Sequence, residues 1–453
     1  MPRLFGTDGV RGKAGTFPLD PPTVRRLGGA LVRVLRHDES RAPGTDRPLR
    51  FLAGRDTRES GTWIEQALAA GMAGQGGSLV SAGVVPTPAI AYLTPRQGFT
   101  AGVVISASHN PFEDNGIKVF SGAGEKFTEA LEQQVERMVA DPSWTVPEAD
   151  AQVAVVDYRG EYERHLAEIL PEPLRRRGMR VAVDCANGAT TTVAPQVFQH
   201  LGFDATFLGA EPDGRNINLH CGSTHPQGLA EAVVGGGFEI GIAFDGDGDR
   251  AIFVDASGRV VDGDAVMLMC AKGLKAEGRL KGNALVATVM SNIGLEIALR
   301  EAGIAIVRCP VGDKYVMEEM LRRGLSLGGE QSGHVIFADY LFTGDGLATA
   351  LSVLRVMAAS GRALADLASE MTAYPQVLMN LRVKEKVDLS TVPEVAAVLQ
   401  SVELRLEGSG RLLVRYSGTE PLLRVMLEGQ DQGEIRRWGQ EIIDAVKQHV
   451  GAA

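Results

Sequence analysis

Three aspartates at alternating positions give the strongest chemical signal in the sequence. Asp245, Asp247 and Asp249 lie in the loop DGDGDR, and their carboxylates would repel one another unless a cation lay among them. The intervening glycines let the backbone curl so that the three side chains converge. An EF-hand loop would need Gly at its sixth position and Glu at its twelfth, where this chain has Arg250 and Ala256. The spacing therefore predicts a site for a hard divalent cation, with coordination positions left for water or a phosphate oxygen.

A serine-rich turn is the second candidate. The apolar run 103–105 predicts a buried strand, which would deliver Ser106, Ser108 and His109 to its carboxyl end, where α/β proteins bind ligands. A hydroxyl beside an imidazole is a candidate nucleophile. The alternative is a polar turn that only caps the strand, and these residues alone leave both interpretations open.

The loop GGEQSGH carries groups that suit a sugar ligand. Glu330, Ser332 and His334 occupy alternating positions, so an extended backbone would point all three to one side, where they could bind hydroxyl groups. The alternative is a glycine-rich hairpin with one histidine, and the local sequence is compatible with both.

The loop RYSGTEPLLR suits a phosphate group. Arg415 and Arg424 flank Ser417, Gly418 and Thr419. Two guanidiniums, hydroxyls and free backbone amides in one turn are typical of a site for a phosphate dianion. The alternative is a polar hairpin with incidental arginines.

The elements that would position these loops recur three times along the chain. Each copy has a short strand, a polar loop, a helix, a capping glycine and a new strand, and the capping glycines are Gly76, Gly202 and Gly303. Such copies are βαβ units that feed a parallel sheet, and each is followed by a further strand that ends in one of the first three loops. We therefore predict an α/β protein, with three related α/β domains of mostly parallel mixed sheets and a smaller C-terminal α+β domain, arranged around a central cleft.

The last domain has a different pattern, which begins after Tyr374 and Pro375. We predict strands over 378–383, around Leu404, around Leu412 and over 422–427, with a helix near 394–400 and a final amphipathic helix. The predicted domains are 1–160 with the serine turn, 161–257 for metal binding, 258–374 for sugar binding and 375–453 for phosphate binding.

Composition excludes several classes of protein. The chain has 453 residues, enough for several domains, and its net charge of −10 provides no basic field for nucleic acid. No apolar run approaches the roughly 20 residues that cross a bilayer, and the start lacks the apolar core of a signal peptide, so we expect a cytoplasmic protein without a membrane partner. The four cysteines lack CxxC spacing and indicate reduced structural thiols. The sequence has neither a Walker loop nor a kinase signature, so a transferred phosphate could come from the serine itself.

Four motifs together resemble those of one enzyme family. SASHNP, DGDGDR, GEQSGH and RYSGTEP, in this order over nearly the whole chain, are similar to the motifs of the α-D-phosphohexomutase superfamily. FGTDGVRG, PDGRNINLHCGSTH, TVMSNIGLE and SGTEP resemble its bacterial members that act on glucosamine phosphates. The resemblance implies an isomerase that converts glucosamine 6-phosphate into glucosamine 1-phosphate through bound glucosamine 1,6-bisphosphate, for UDP-N-acetylglucosamine and cell-wall synthesis. We expect a monomer or homodimer whose partner is this small phosphosugar.

The resemblance also implies roles for individual residues. Ser108 would be carried as phosphoserine, with Ser106 in support, and one Mg²⁺ would be held by a phosphoserine oxygen and the three aspartates of DGDGDR. Lys118, Arg11 and His109 would assist at the phosphoserine. The residues implied to bind substrate are Arg250, Gly312, Lys314, Glu330, Ser332 and His334. Those implied to bind the nonreacting phosphate are Arg415, Ser417, Gly418, Thr419 and Arg424.

Two positions depart from the family pattern, and two alternatives stay open. Lys314 stands where the family usually has Arg, and Tyr416 stands where Lys is frequent. Lysine keeps the charge of arginine but loses its planar fork. The first alternative is a phosphomannomutase or phosphoglucomutase, which would share the whole apparatus. The second is a noncatalytic phosphosugar-binding protein, although the presence of Ser108, the three aspartates and Arg415 argues against it.

Overall fold

The computed structural model describes residues 4–6, 8–37, 48–175, 178–417 and 421–451. Within these ranges the chain forms two compact units. The first unit contains the residues before 291 together with 304–369, and the second contains 291–303 together with the residues after 369. Three mixed sheets lie in the first unit, and one antiparallel sheet lies in the second. The predicted fold class, three α/β domains with mostly parallel mixed sheets and a smaller C-terminal α+β domain, is confirmed.

The first sheet has seven strands, which are β1 (Phe5–Gly6), β2 (Gly9–Lys13), β3 (Leu49–Arg55), β4 (Gly77–Val84), β5 (Ala101–Ile105), β6 (Asp114–Ser121) and β7 (Ala154–Val155). Their order is β1-β2-β6-β5-β3-β4-β7, with parallel pairing from β5 through β3 and β4 to β7, and antiparallel pairing from β5 through β6 and β2 to β1. The helices of this part are α1 (Pro21–Arg36), α2 (Gly61–Ala73), α3 (Thr87–Arg96) and α4 (Glu129–Ala140). Helix α1 begins where the Asp20 side chain accepts a hydrogen bond from Thr23 N, and its apolar face through Val24, Leu27 and Leu31 is buried in the core.

The second sheet has five strands, which are β8 (Arg180–Asp184), β9 (Asp204–Leu208), β10 (Ile240–Phe244), β11 (Ala251–Asp255) and β12 (Val260–Val261). Their order is β12-β11-β10-β8-β9, in which β10, β8 and β9 are parallel and β11 is antiparallel to both of its neighbours. The helices of this part are α5 (Arg159–Ile169), α6 (Ala194–Leu201) and α7 (Gln227–Gly236). Strand β10 is buried at every position, as expected for an apolar central strand with both faces covered.

The third sheet has four strands, which are β13 (Ala284–Thr288), β14 (Ala305–Cys309), β15 (Leu327–Gly329) and β16 (Val335–Phe337). Their order is β14-β13-β15-β16, and only the pairing of β15 with β16 is antiparallel. The helices between 263 and 368 are α8 (Gly263–Ala276), α9 (Ile293–Glu301), α10 (Asp313–Arg323), α11 (Gly346–Ser360) and α12 (Leu364–Ala368), of which α9 belongs to the second unit. Of the predicted capping glycines, Gly202 is the left-handed C-cap of α6, with a φ of 83°, whereas α2 and α9 are capped by Gly74 and Ala302. Gly76 and Gly303 follow those caps and are also left-handed, with φ angles of 72° and 63°.

The second unit contains β17 (Gln376–Arg382), β18 (Arg411–Tyr416), β19 (Leu422–Glu428), α13 (Pro393–Leu406) and α14 (Gln432–His449). The sheet order is β17-β19-β18 with antiparallel pairing throughout, and its core includes Val425, Leu427 and Ile442. The predicted strand around Leu404 is wrong, because this residue lies in α13 with 66% of its side chain exposed. The helix continues through the alternating residues before Gly408 because no helix-breaking residue interrupts them.

The three polar loops of the first unit are turns of antiparallel hairpins. The serine turn joins β5 to β6, the acidic loop joins β10 to β11, and GEQSGH joins β15 to β16. In the last of these, Gly333 N donates to Glu330 O at 3.1 Å, and Glu330 N donates to His334 O at 2.9 Å. The prediction of an extended backbone from Glu330 to His334 is therefore wrong, because a tight turn reverses the chain there.

The cysteines and the helices agree with two simpler predictions. The four cysteines are free thiols, as predicted. Burial raises the pKa of both Cys185 and Cys270 to about 12, so these two thiols stay protonated at neutral pH. Among the helices that the structure describes, none combines the length and the hydrophobicity needed to cross a membrane.

Candidate active site

Ser108 lies on the turn between β5 and β6 and faces the acidic loop of the second sheet. Its Oγ donates a hydrogen bond to Asp245 Oδ2 at 2.5 Å and lies 3.3 Å from His109 Nδ1. The Ser108 backbone is left-handed, with a φ of 53°, which is uncommon for a residue with a side chain. The Ser106 hydroxyl supports this conformation by accepting a hydrogen bond from Ser108 N at 2.9 Å. The turn therefore presents a buried hydroxyl to a carboxylate.

The acidic loop brings three buried carboxylates together. Asp245, Asp247 and Asp249 are each at most 2% exposed, and one oxygen from each lies within 4.8 Å of the others. Asp247 Oδ1 and Asp249 Oδ1 accept no hydrogen bond from any residue that the structure describes. Buried carboxylate oxygens without a partner are costly, and converging carboxylates are the ligands that hard divalent cations prefer. The donor set therefore fits a metal ion, and the loop is a candidate metal site.

Lys118, on β6, brings a positive charge to the acidic loop. Its Nζ lies 2.8 Å from Asp247 Oδ2, 3.2 Å from Asp249 Oδ2 and 3.0 Å from Asp8 Oδ2, and its side chain is 2% exposed. The Arg11 guanidinium also bonds the Asp8 carboxylate. The segment FGTDGVRG thus joins the site through Asp8, which links the charges of Lys118 and Arg11.

The ionisable groups of the site perturb one another. Burial alone would lower the pKa of the Lys118 ammonium, but Asp247, Asp249 and Asp8 hold this pKa well above its ordinary value. Burial would raise the pKa of the Asp249 carboxyl, yet the Lys118 ammonium holds it well below its usual range. The pKa of Asp245 is instead raised well above its usual range, by burial and by repulsion from Asp249 and Asp247. A cation among the three carboxylates, or the hydrogen bond from Ser108 Oγ, favours the charged form of Asp245.

His109 is a neutral imidazole beside the serine hydroxyl. Burial lowers its pKa to about 4, and the Arg250 and Arg11 guanidiniums add to this effect. Arg250 Nη1 lies 3.2 Å from His109 Nδ1, so Nδ1 accepts a hydrogen bond and the ring proton is on Nε2. The imidazole is therefore uncharged at neutral pH, and it lies between the Ser108 hydroxyl and the Arg250 guanidinium.

His334 connects the third loop to the acidic loop. The residue is 1% exposed, and its Nδ1 lies 3.6 Å from Asp249 Oδ1. Its Nε2 accepts a hydrogen bond from Gly344 N at 3.1 Å and lies 3.6 Å from Asp313 Oδ2. Because Nε2 accepts a hydrogen bond, the ring proton is on Nδ1, toward Asp249. The predicted contact between His334 and substrate stays a prediction.

Glu330 is the centre of a second polar cluster in the same unit. Gly312 N donates to Glu330 Oε1 at 3.1 Å, and Ser332 Oγ donates to Glu330 Oε2 at 3.4 Å. Lys314 Nζ donates to Glu132 Oε2 at 2.7 Å, and these two side chains are 12% and 10% exposed. The Lys314 ammonium thus has a carboxylate partner within the protein, and its predicted role in substrate binding stays a prediction.

The second unit has two arginines at paired positions of neighbouring strands. Arg415 on β18 lies directly opposite Arg424 on β19. Like charges at such positions destabilise a sheet unless an anion lies between them, and Arg424 Nε is buried without a hydrogen bond within the described part of the chain. The turn after β18 is held by Lys386, whose Nζ donates to Ser417 O at 2.7 Å. Two predicted phosphate-binding residues lie outside the described residues, namely Gly418 and Thr419.

Comparisons with known proteins match nearly the whole chain to one superfamily. Family models for phosphoglucomutase/phosphomannomutase match alpha/beta/alpha domain I at residues 2–145, domain II at 160–258, domain III at 262–374 and the C-terminal domain at 378–445. A phosphoglucosamine mutase from Syntrophotalea carbinolica is 46% identical over 99% of this chain and 98% of its own length. The chain belongs to the phosphoglucosamine mutase family.

Solved structures of the superfamily have the same fold. A phosphoglucomutase/phosphomannomutase family protein from Burkholderia thailandensis has a TM-score of 0.81 at 23% identity, covering 98% of this chain and 97% of that chain. The N-acetylphosphoglucosamine mutase of Aspergillus fumigatus, solved in complex with GlcNAc-6P and magnesium, has a TM-score of 0.68 at 17% identity, covering 98% of this chain and 95% of that chain. Phosphoglucosamine mutases are isomerases, so the family and enzyme class predicted from the four motifs are confirmed.

Most of the residues predicted from the phosphoglucosamine mutase motifs meet in the first unit. Direct contacts or shared partners join Arg11, Ser108, His109, Lys118, Asp245, Asp247, Asp249, Arg250 and His334. The cluster of Gly312, Glu330 and Ser332 adjoins them through Asp313, which contacts His334. Lys314, also in the first unit, bonds Glu132 instead. The remaining described residues of the prediction lie in the second unit, and they are Arg415, Ser417 and Arg424.

The sequence analysis missed several side chains that complete the phosphoglucosamine mutase site. Thr87 Oγ1 donates to Asp247 Oδ2 at 2.5 Å. Lys126 Nζ lies 2.5 Å from Asp8 Oδ1 and also bonds the Asp313 carboxylate. It therefore connects the loop before β2 of the first sheet to the start of helix α10, which follows β14 of the third sheet. The glycine spacing around Asp8 was a usable signal for that residue. Thr87 and Lys126 lie in no polar motif, and no local signal identifies them.

Proposed function

We propose that this chain interconverts glucosamine 6-phosphate and glucosamine 1-phosphate, with Ser108 as the carrier of the phosphoryl group. The observation that carries the proposal is the 2.5 Å hydrogen bond from Ser108 Oγ to Asp245, because it joins a buried hydroxyl to the candidate metal site. The identity to a phosphoglucosamine mutase supports the choice of sugar. Glucosamine 1,6-bisphosphate is the proposed intermediate and the activator that phosphorylates the serine.

The proposed reaction consists of two balanced phosphoryl transfers. In the first, the phosphorus–oxygen bond to Ser108 breaks and a new bond forms to O1 of glucosamine 6-phosphate, while the O1 proton passes to Ser108 Oγ. The resulting 1,6-bisphosphate turns around in the site. In the second, its 6-phosphoryl group returns to Ser108 Oγ, and the serine proton passes to O6. No water or nucleotide is consumed, so the net reaction is an isomerisation.

His109, Lys118 and Arg11 are the proposed helpers at Ser108. His109 Nδ1 lies 3.3 Å from Ser108 Oγ and 3.2 Å from Arg250 Nη1, so the uncharged imidazole would orient the Arg250 guanidinium beside the phosphoserine rather than hold the transferred proton. Lys118 Nζ, 2.8 Å from Asp247 Oδ2, keeps a positive charge beside the position of the phosphoryl group. Arg11 would contribute a guanidinium that can bond phosphate oxygens.

Mg²⁺ is the proposed metal, with Asp245, Asp247, Asp249 and a phosphoserine oxygen at Ser108 as its ligands. Three converging carboxylates with two unbonded oxygens fit an ion that prefers oxygen ligands. Bound there, Mg²⁺ would neutralise charge on the transferring phosphoryl group. The magnesium present in the Aspergillus fumigatus relative supports the choice of ion.

The remaining predicted residues are proposed to orient the substrate. Glu330 and Ser332 would bind sugar hydroxyls, since their side chains already form one hydrogen-bonded pair. The other residues proposed for this role are Arg250, Gly312, Lys314 and His334. The residues proposed to bind the nonreacting phosphate are Arg415, Ser417, Gly418, Thr419 and Arg424.

The intact mass of the purified chain tests the phosphoserine without an assay of sugars. We expect one added phosphate group, localised to Ser108 by peptide fragmentation, and the loss of both phosphate and turnover in Ser108→Ala. Ser143→Ala is the control, because it removes an exposed hydroxyl that bonds Asp141 outside the serine turn and should leave the phosphate on Ser108. Normal interconversion of the sugar phosphates by Ser108→Ala in the presence of Mg²⁺ would contradict the proposal.

A phosphoglucomutase or phosphomannomutase activity is the second candidate. The matched domain models carry these names, and the phosphoryl-transfer groups would serve either sugar. Comparing kcat/KM for glucosamine, glucose and mannose 6-phosphates decides between the candidates, and we expect the amino sugar to be preferred. A cytoplasmic location belongs to the same proposal and is supported by the four free thiols.

A further inference from the structure

Two buried side chains outside the predicted site bond the backbone of the serine turn. Arg58 is 1% exposed, and its Nη2 donates to Ser108 O at 3.2 Å and to Asn110 O at 2.6 Å. Asn218 Nδ2 donates to the same two oxygens, at 3.0 and 3.1 Å. Arg58 follows β3, and Asn218 lies between β9 and α7. Two distant parts of the chain therefore hold the same pair of carbonyl groups.

These carbonyl groups flank a strained point in the backbone. Ser108 has a φ of 53°, and a residue with a side chain keeps such a conformation only when its surroundings hold it. The β5–β6 pairing ends at Ile105 opposite Ile117, before the serine turn begins. Arg58, Asn218 and the Ser106 hydroxyl supply hydrogen bonds to the turn instead.

Arg58 is itself fixed by a buried partner. Its guanidinium bonds the Asp56 carboxylate, and Asp56 N donates to Ile105 O at 3.2 Å. Strands β3 and β5 are parallel neighbours with Arg55 opposite Ile105, so the segments that follow them lie side by side. A planar guanidinium can bond one carboxylate and two carbonyl groups at once, whereas a lysine ammonium lacks this fork. The arginine is thus the residue type suited to this position.

We propose that Arg58 and Asn218 are positioning residues for phosphoryl transfer. Together they hold the Ser108 backbone in the left-handed conformation that directs its Oγ to Asp245. The inference rests on the proposed phosphoserine mechanism, and both residues act through carbonyl groups rather than on the reacting atoms. Loss of either donor lets the turn relax, so the phosphoryl group leaves its line of transfer while the substrate site stays intact. The expected signature is a lower kcat with an unchanged KM.

Asn218→Gly is the decisive variant. Asn218 has a φ of 59°, which glycine adopts freely, so the change removes the amide donor without straining the backbone. Asn187→Gly is the matched control, because Asn187 is also left-handed, with a φ of 48°, and its Nδ2 bonds Asn216 O instead of the serine turn. We expect kcat for glucosamine 6-phosphate to fall about ten- to a hundred-fold in Asn218→Gly and to stay near wild type in Asn187→Gly, with similar KM values. Equal kcat values in the two variants would overturn the inference.

Arg58→Lys tests the other donor. It keeps a positive charge beside Asp56 but loses the fork, so we expect a loss in kcat of about a hundred-fold with KM preserved. The rate at which glucosamine 1,6-bisphosphate phosphorylates Ser108, followed by intact mass, should fall in parallel. If Arg58→Lys does not fold, Asn218→Gly still decides.

Failure of the proposed function would look different from failure of this inference. A wild-type chain without phosphate on Ser108, together with an active Ser108→Ala variant, would remove the mechanism on which the inference rests. A wild type phosphorylated on Ser108, with normal kcat and normal serine phosphorylation in Asn218→Gly, would overturn the positioning role alone.

Discussion

Two charged regions of the molecule differ in how their charges are compensated. The acidic site of the first unit consists of Lys118 and the carboxylates around it, and the arginine pair of the second unit consists of Arg415 and Arg424. In the acidic site, the buried Lys118 ammonium lies within hydrogen-bond distance of three carboxylates, so much of the charge is compensated within the protein. In the arginine pair, Arg415 is exposed and lies directly opposite Arg424, so two positive charges oppose each other across neighbouring strands. The first region contains its own counter-charges, whereas a bound anion would relieve the repulsion in the second.

This contrast predicts different costs for removing a charge. When one partner leaves a buried and compensated cluster, the remaining charges lose their counter-charge, so the folded state is destabilised. When one of two opposed arginines is replaced, the repulsion between them disappears, so the folded state is not destabilised. The cost is a lower affinity for the ligand. Removing a charge from the acidic site should therefore lower both stability and activity. Removing a charge from the arginine pair should lower activity but not stability.

We expect the largest effect from Lys118→Met. The change leaves Asp247 and Asp249 buried without their shared ammonium and removes one of the three cations around Asp8, so the free energy of unfolding should fall by about 3–5 kcal/mol. Turnover should fall by at least about a thousand-fold, because the phosphoryl group loses a nearby positive charge. Urea unfolding followed by circular dichroism measures the first effect, and a coupled mutase assay measures the second. Mg²⁺ should restore part of the stability of the variant. If Lys118→Met is as stable as wild type without Mg²⁺, Lys118 does not compensate the charge of these carboxylates.

Arg415→Gln is the matched change in the second unit. The KM for glucosamine 6-phosphate should rise about ten- to a hundred-fold, as expected when a charge-assisted hydrogen bond to phosphate is lost. The free energy of unfolding should stay the same or rise slightly, because repulsion from Arg424 is relieved. Steady-state kinetics and urea unfolding of the same preparation check both statements. A loss of stability as large as that of Lys118→Met would mean that Arg415 has a structural counter-charge.

The side chains nearest the serine could be predicted because their chemistry is local in the sequence. The three aspartates alternate within six residues of DGDGDR, and Ser108 directly precedes His109. The strands that carry these loops are short apolar runs, and both β5 and β10 are buried at every position. The repeated strand, helix and capping glycine likewise correspond to real elements, as in β3, α2 and β4.

Contacts between distant segments and the shapes of turns could not be predicted. Lys314 and Glu132 are 182 residues apart, and no local pattern pairs them. The alternation in GEQSGH suggested an extended segment, but the antiparallel pairing of β15 with β16 forces a turn there. The alternation around Leu404 suggested a strand, but these residues extend helix α13. The domain boundaries predicted after residues 160, 257 and 374 stay predictions.

Ligand-dependent unfolding sharpens the comparison further. Mg²⁺ at ten times its Kd should stabilise the wild type by about 1.4 kcal/mol, and this stabilisation should disappear in Asp247→Asn. Inorganic phosphate at ten times its Kd should stabilise the wild type by the same amount through the second unit, and this effect should disappear in Arg415→Gln. Urea unfolding of both variants with both ligands tests this: Asp247→Asn should lose only the stabilisation by Mg²⁺, and Arg415→Gln only the stabilisation by phosphate. Stabilisation by Mg²⁺ that survives in Asp247→Asn would place the cation elsewhere.

The pH dependence of stability should give the smallest effect. Asp345 caps α11 by accepting a hydrogen bond from Ala348 N at 2.9 Å, and its Oδ2 accepts one from Tyr162 Oη at 2.8 Å. Burial raises the pKa of this carboxyl to about 6. A carboxyl whose pKa is higher in the folded state stabilises that state fully below about pH 4, and this contribution is lost as the pH rises through about 6. Asp345→Asn keeps an oxygen acceptor for Ala348 N and offers an amide N–H from which Tyr162 Oη can accept, and it removes the charge, so it should be more stable than wild type by about 1 kcal/mol at neutral pH.

Arg415→Gln provides the contrast for this last measurement, because it leaves every carboxyl group of the chain in place. Its difference in unfolding free energy from wild type should stay constant between about pH 4.5 and 7.5, whereas the advantage of Asp345→Asn should grow across that interval. The titrating carboxyl is close to the acidic site, since the next residue, Gly346, donates its N–H to Gly248 O at 2.9 Å. If both differences are flat, the buried Asp345 carboxyl does not make the stability of the chain depend on pH in this range. The two regions would then differ in their stabilisation by Mg²⁺ and by phosphate, but not in the pH dependence of their stability.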